Sequence, residues 1–160
     1  MLNGYSRVLV RTHSVDVWYH SAHMSTIFSK IISREIPADI VYEDEYVVAF
    51  LDIKPINHGH TLVVPKTACA DALACDTETL ARMMVVAQKI ALALSETLSC
   101  DGVNFIMNNG EVAGQEVFHA HLHVIPRFTD DNALPKPDRK EYNEAESKRI
   151  QGLLMTTLTS

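Results

Sequence analysis

Short apolar runs bounded by turn residues recur along this chain and are typical of β-strands. Five such runs stand at residues 40–42, 46–51, 61–64, 103–107 and 119–125. The acidic stretch between the first two predicts a hairpin. Pro65 and Pro126 are expected to end the third strand and the fifth, because proline cannot donate to a ladder.

Apolar residues spaced three and four apart predict helices instead. Ser25 is a suitable N-cap for a short helix ending before Pro37, whose apolar positions are Ile27, Phe28, Ile31 and Ile32. A longer helix follows the N-cap Asp76, with a core-facing stripe of Leu80, Met83, Met84, Ala87, Ile90, Ala91, Leu94 and Leu98. Early strands joined by short turns and one long intervening helix predict an α+β fold with a mainly antiparallel five-stranded sheet.

Length and charge restrict the class of protein. The chain has 160 residues and a formal net charge of −6, which suits one domain without the basic surface that nucleic-acid binding needs. Its apolar runs all fall short of the ~20 residues that span a bilayer. We therefore expect a cytoplasmic protein that binds neither nucleic acid nor membrane. A small anionic ligand remains compatible with its charge.

The ends of the chain differ in composition from its middle. Residues 1–23 contain Arg7 and Arg11 but a single acid, a weak likeness to an organelle transit peptide without the apolar core of a signal peptide. We expect a poorly ordered extension there, a folded domain over residues 24–130, and a polar, weakly helical tail over residues 131–160. The three cysteines fit no zinc or disulfide spacing, so reduced, partly buried thiols are expected.

A row of three histidines, His119, His121 and His123, is the most informative stretch. Alternate side chains of a strand share one face, so the three imidazoles are expected to project together. Three charged rings on one face would repel one another, so some must be neutral near pH 7. A neutral imidazole can act as a nucleophile, a base or a metal ligand.

Three interpretations of this row remain open on residue types alone. The first is a solvated or structurally bonded row. The second is a metal site, since histidines two apart on a strand can hold zinc, with Glu116 as the nearby further ligand. The third is phosphoryl-group chemistry, favoured by a preceding loop whose amides and flexible backbone suit anionic oxygens. That loop contains Asn108, Asn109, Gly110, Gly114 and Gln115.

The histidine row and its neighbouring residues resemble the histidine triad (HIT) family. Its signature alternates histidine with apolar residues, and the stretch from His119 to Ile125 fits it, with Ala120 as the small member. Further segments fit the Hint-like nucleoside phosphoramidase branch in order, over roughly residues 25–128. They are IFSKII at 27–32, EIPA at 35–38, FLDI at 50–53 and GHTLVVPK at 59–66. The resemblance implies a HIT-like fold whose sheet extends across a homodimer.

The resemblance also implies a mechanism. His121 would attack the phosphorus of a nucleoside 5′-phosphoramidate or related nucleotide ester, forming a covalent nucleotidyl-histidine that water hydrolyses. The carbonyl of His119 would hold its Nδ1–H and leave Nε2 free. His119 would support the array and proton traffic, and His123 would hold a phosphate oxygen. The implied phosphate pocket is lined by Asn108, Gly114 and Gln115.

The resemblance implies a purine nucleotide substrate. Asp52 would accept hydrogen bonds from the ribose hydroxyls. The base would lie between Phe28, Ile31, Ile36 and Ile53. On residue types alone, these four apolar side chains would be interpreted as plain core packing.

Several positions depart from the family pattern. Some relatives bind structural zinc through cysteines and a histidine where this chain has Thr26, Ser29 and Ala68. We therefore expect no metal and no cofactor. Glu116 replaces a serine that contacts phosphate in some relatives, and its carboxylate would repel phosphate unless it turned away.

Two further histidines lie outside this row and flank a glycine before the third predicted strand. His58 and His60 are expected to be structural or solvent-facing, with Gly59 allowing a turn. The pair Pro126-Arg127 also occurs in dinucleoside polyphosphate hydrolases, which is the alternative enzyme. A nucleotide- or metal-binding protein without turnover is the alternative from another class.

Overall fold

The computed structural model describes residues 7–12, 15–20, 25–134 and 138–159. Five strands form one antiparallel sheet in the order β3-β4-β5-β7-β6, which confirms the expected α+β fold. In chain order the elements are β1 (Arg7–Thr12), β2 (Val15–His20), α1 (Ile27–Ile32), β3 (Ile40–Glu43), β4 (Val47–Leu51), β5 (Thr61–Pro65), α2 (Thr77–Leu98), β6 (Gly102–Ile106), β7 (Leu122–Arg127) and α3 (Glu144–Leu158).

The two faces of the sheet are covered by different helices, because alternate strand residues point to opposite sides. Helix α2 covers one face. Of its predicted stripe, Met83, Ala87, Ile90 and Leu94 are buried, Leu80 and Ala91 are partly buried, and Met84 and Leu98 are exposed. This core contains Val47, Ala49, Val63, Met83, Val86, Ala87, Ile90, Leu94, Leu122 and Val124. Helix α1 covers the other face, with Phe28, Ile31, Val48, Phe50, Leu62 and Val64.

The observed helix N-caps agree in part with those predicted from the sequence. Asp76 caps α2 by accepting a hydrogen bond from the backbone N–H of Thr79 at 2.8 Å, as predicted. Helix α1 is capped by Thr26 rather than Ser25, since the Thr26 hydroxyl accepts from the backbone N–H of Ser29. Serine and threonine are both good N-caps, so adjacent candidates are hard to separate by residue type.

Strand β7 differs from its predicted bounds at both ends. It begins at Leu122, after two of the three histidines, and runs through Pro126 to Arg127. Pairing with β5 extends only from Leu122 to Val124, so Pro126 is paired with β6 alone. Its missing N–H can face the side without a partner strand, which is why this proline does not end the strand.

The chain ends carry elements outside the main sheet. Strands β1 and β2, which the sequence did not predict, form a separate antiparallel pair. The expected disorder of residues 1–23 and the boundary at residue 24 remain predictions, and residues 1–6, 13–14 and 21–24 lie outside the described residues. Helix α3 lies within the predicted weakly helical tail. None of the helices in the described ranges is long and apolar enough to cross a membrane.

The expectation of three reduced cysteines is wrong for two of them. Cys69 and Cys75 form a disulfide with their Cα atoms 5.2 Å apart, while Cys100 is not part of a disulfide. The loop between β5 and α2 turns back on itself, because the carbonyl of Asp71 accepts the backbone N–H groups of Ala74 and Cys75. This turn brings together two thiols whose spacing matches no framework recognisable from sequence.

Candidate active site

Four imidazoles converge on the face of the sheet that α1 covers. His123 lies in β7 opposite Leu62 of β5, and His60 directly precedes β5 on the same face as Leu62. The rings of His121 and His123 meet edge to face, 4.9 Å apart. His119 and His121 lie in the segment entering β7 rather than in the strand itself. The rings still share the α1 side, and Phe28 contacts both His119 and His121.

His121 has the geometry of a nucleophile. Its side chain is 6% exposed, and its Nδ1 lies 2.7 Å from the carbonyl oxygen of His119. A carbonyl can only accept, so Nδ1 carries the proton and Nε2 keeps its lone pair. Burial lowers the pKa of His121, although the hydrogen bond to His119 and the nearby charge of Asp52 raise it. The neutral ring therefore presents a bare Nε2 near pH 7.

His123 is held in the opposite tautomer by a short chain of hydrogen bonds. The Nδ1 of His60 accepts the backbone N–H of Ile56 at 3.2 Å, so neutral His60 carries its proton on Nε2. That Nε2 donates to Nδ1 of His123 at 2.9 Å. The remaining proton of His123 must then lie on Nε2, which makes it a neutral donor suited to an anionic oxygen. Burial, with repulsion from His121 and His60, lowers the pKa of His123 to about 4.

His60 lies in this site, although a structural or solvent-facing place was expected for it from the sequence. Its side chain is 2% exposed, and its Nδ1 lies 3.5 Å from a carboxylate oxygen of Asp52. Burial lowers the pKa of His60, and the charge of Asp52 opposes that shift. The signal was its even spacing from Leu62, which places it on the face of His123. His58 has the same even spacing, but it lies further from β5 in the preceding loop and is exposed.

His119 is anchored at both ring nitrogens. Its Nε2 donates to the carbonyl of Pro65 at 2.9 Å, and its Nδ1 therefore accepts from the hydroxyl of Thr26 at 3.3 Å. Burial lowers the pKa of His119. With both nitrogens engaged, the ring supports the array by fixing the carbonyl that holds His121. Proton traffic through His119 remains a prediction, and these two bonds do not favour it.

The predicted phosphate loop is shaped mainly by Gln115. Its buried side-chain amide donates to the carbonyls of Ala70 at 2.6 Å and Val117 at 3.0 Å, and its oxygen accepts the N–H of Gly110 at 2.8 Å. Both N–H donors are thus engaged, which disfavours direct phosphate contact by this side chain.

The other two predicted phosphate residues lie next to each other in that loop. The Asn108 amide donates to the carbonyl of Gly114 at 3.2 Å. Gly114 adopts φ +88, the left-handed region that favours glycine. Glu116 is exposed at the surface. Phosphate binding by this loop stays a prediction.

The predicted nucleoside residues fall into two groups. Phe28 and Ile31 are buried in the core, with Ile36 packed against them, so core packing describes them well. Ile53 is 94% exposed, which is unusual for a large apolar side chain beside polar groups and leaves it free to contact a ligand. Asp52 accepts the backbone N–H of Lys54 at 2.8 Å and has an 18% exposed side chain.

A metal ion fits this site poorly. Within the described residues, Asp52, His60 and His123 bring possible ligand atoms within 4.8 Å of one another. However, both ring nitrogens of His60 are engaged, one by Ile56 and one by His123, so a metal would have to displace a hydrogen bond. The absence of a metal remains a prediction.

The fold and the site together define a class of protein: an antiparallel α+β domain with neutral histidines gathered on one sheet face. Comparison with known proteins identifies the family. A HIT domain model matches residues 33–130, and the chain belongs to the HIT family.

The relatives extend over most of the chain. An uncharacterized HIT-like protein of Methanocaldococcus jannaschii is 49% identical over 110 residues, which cover 69% of this chain and 84% of that protein. A crystal structure from Streptococcus mutans UA159 matches with a TM-score of 0.83 at 34% identity and covers 98% of this chain and 99% of that one. A histidine triad nucleotide-binding protein from Candida albicans gives a TM-score of 0.76 at 31% identity, covering 84% and 98%.

Proposed function

We propose that this HIT protein hydrolyses purine nucleoside 5′-phosphoramidates or related nucleotide esters, as in the Hint-like branch, through a covalent nucleotidyl-histidine at His121. The observation that carries the proposal is the 2.7 Å hydrogen bond from Nδ1 of His121 to the carbonyl of His119, which leaves Nε2 unprotonated. The Candida albicans relative, named as nucleotide-binding, supports the substrate class.

The reaction follows from the two opposite tautomers. The free Nε2 of His121 attacks phosphorus, and the bond to the leaving nitrogen or oxygen breaks as that group takes a proton from solvent water. His123 donates its Nε2–H to a phosphate oxygen as negative charge develops. The His119 carbonyl stabilises the positive charge that the adduct places on the His121 ring. Water then attacks the same phosphorus, releasing the nucleoside monophosphate and neutral His121. The water that attacks in this second step returns a proton to solvent.

The test compares two alanine variants. His121→Ala removes only the nucleophile, so we expect hydrolysis of adenosine 5′-phosphoramidate to fall to background while AMP binding, followed by calorimetry, persists. His58→Ala is the matched control, because His58 is exposed two positions from His60, and its rate should equal wild type. An unchanged rate in His121→Ala would rule out the mechanism.

The contacts of Arg127 give little support to the alternative enzyme, a dinucleoside polyphosphate hydrolase. The guanidinium of Arg127 donates to Asp131 at 2.7 Å and to Asn104 at 2.7 Å, so it is engaged within the fold. Parallel assays with adenosine 5′-phosphoramidate and a diadenosine polyphosphate separate the two activities. Zinc bound in stoichiometric amount, without turnover, would favour the binding protein.

A homodimer is part of the proposal. Strand β6 is an edge of the sheet and carries the half-exposed Phe105. An exposed edge strand is a template for pairing with a second copy, which would extend the sheet. Light scattering should give twice the mass of one chain. The cytoplasmic location expected from the sequence remains a prediction.

A further inference from the structure

A disulfide-closed segment lies directly against the segment that carries His119 and His121 into β7. The bond between Cys69 and Cys75 closes residues 69–75, which follow β5 and precede α2. The backbone N–H of Ala120 donates to the carbonyl of Cys69 at 2.8 Å. One end of the disulfide is therefore hydrogen-bonded to the residue between His119 and His121.

Two further hydrogen bonds attach the same segment to the phosphate loop. The carbonyl of Ala70 accepts from the side-chain amide of Gln115 at 2.6 Å. The backbone N–H of Ala72 donates to the side-chain oxygen of Asn109 at 2.8 Å. The segment thus supports residues 108–120 at three points. A displacement of Cys69 would reach His121 through a single peptide unit, and catalytic rates are sensitive to such small misplacements.

The position of the disulfide suits reversible chemistry. Both cysteines are partly exposed, so a reductant can reach them. Cys75 directly precedes Asp76, the N-cap of the 22-residue helix α2. The two cysteines are only 6 positions apart in the sequence. A short closed loop restricts the unfolded chain little, so its main effect is local.

We propose that Cys69 and Cys75 form a site of thiol–disulfide exchange that sets the activity of His121, the disulfide form being the more active. The reactant class is a small thiol or dithiol. Two thiols, or one dithiol, transfer two electrons and two protons to the Cys69–Cys75 bond, giving two free cysteines and one new disulfide in the reactant. The catalytic effect rests on the proposed function, whereas the loop effect does not.

The experiment compares the full chain before and after treatment with dithiothreitol. Alkylation under denaturing conditions should label Cys100 alone before reduction and all three cysteines afterwards. Reduction should speed hydrogen exchange of the Ala120 amide. It should also lower the rate on adenosine 5′-phosphoramidate about three- to tenfold, which corresponds to the loss of about one hydrogen bond.

Variants assign the effect to the pair. The double variant Cys69→Ser/Cys75→Ser should have the hydrolysis rate and the Ala120 exchange of the reduced protein, and dithiothreitol should change neither. Cys100→Ser should respond to dithiothreitol as wild type does. Three labels before reduction, or equal Ala120 exchange and equal rates in both forms, would overturn the proposal. If neither form turns over the substrate but Ala120 exchange still rises on reduction, the site is supported and the proposed function fails separately.

Discussion

Acid should destabilise this fold through its buried histidines, and His123 offers the clearest measurement. An unfolded histidine titrates with a pKa near 6.5, whereas burial lowers the pKa of His123 to about 4. At pH values between these two, His123 is protonated in the unfolded chain and neutral in the folded chain. The contribution of neutral His123 is therefore fully present above pH 6.5 and is lost as pH falls towards 4.

The size of the loss follows from the two pKa values. Proton linkage gives a decrease in the free energy of unfolding of about 1.3 kcal/mol between pH 7.5 and pH 5.5 from His123 alone, rising to about 3 kcal/mol by pH 4. The three more deeply buried histidines, His60, His119 and His121, have pKa values shifted in the same direction, mainly by burial, and add to the loss.

Urea unfolding at pH 7.5 and pH 5.5 measures this effect. His123→Asn keeps an oxygen near the position of Nδ1 to accept from His60, but it cannot titrate. This variant should lose about 1 kcal/mol less than wild type on acidification. The control His58→Asn changes an exposed histidine and should lose as much as wild type. Equal losses in wild type and His123→Asn would show that His123 does not contribute to the acid sensitivity.

Two other substitutions test the site and its support. His60→Ala removes the donor that fixes the tautomer of His123, so kcat should fall about tenfold, roughly one hydrogen bond, and the acid limb of the pH–rate profile should move. The same assay on His58→Ala should show neither change. Gly59→Ala should lower the free energy of unfolding by about 2–4 kcal/mol in a urea titration. Gly59 has φ +96, and a Cβ there would meet Leu98 at 2.6 Å and Leu94 at 2.9 Å; an unchanged midpoint would contradict this close packing.

Periodicity predicted most of the fold because burial of one strand face or one helix stripe leaves a mark every two or every three to four residues. The five strands were predicted from that periodicity, and the N-cap Asp76 from its position before the apolar stripe of α2. The bounds of β7 were not, since the start of the strand depends on where pairing with β5 and β6 begins. Pro126 was misinterpreted for the same reason, as its tolerance depends on which neighbour strand is present.

The site was predictable where its residues are close together in the sequence, and it was not where they are far apart in the sequence. The row from His119 to His123 is visible as a motif. His60 joins it only through strand pairing 63 positions away, and Thr26 meets His119 across 93 positions. The Cys69–Cys75 bond likewise depends on a turn closed by the carbonyl of Asp71, which residue spacing alone does not encode.

The central claim is that Nε2 of His121 bonds to phosphorus during turnover. Rapid quenching of the enzyme with adenosine 5′-phosphoramidate in alkaline denaturant, followed by peptide mass spectrometry at alkaline pH, tests it directly, because the P–N bond of the adduct is labile in acid. We expect one adenylyl group on His121 and none in His121→Ala. An adduct on His119 or His123, or turnover without any trapped adduct while substrate is saturating, would contradict it.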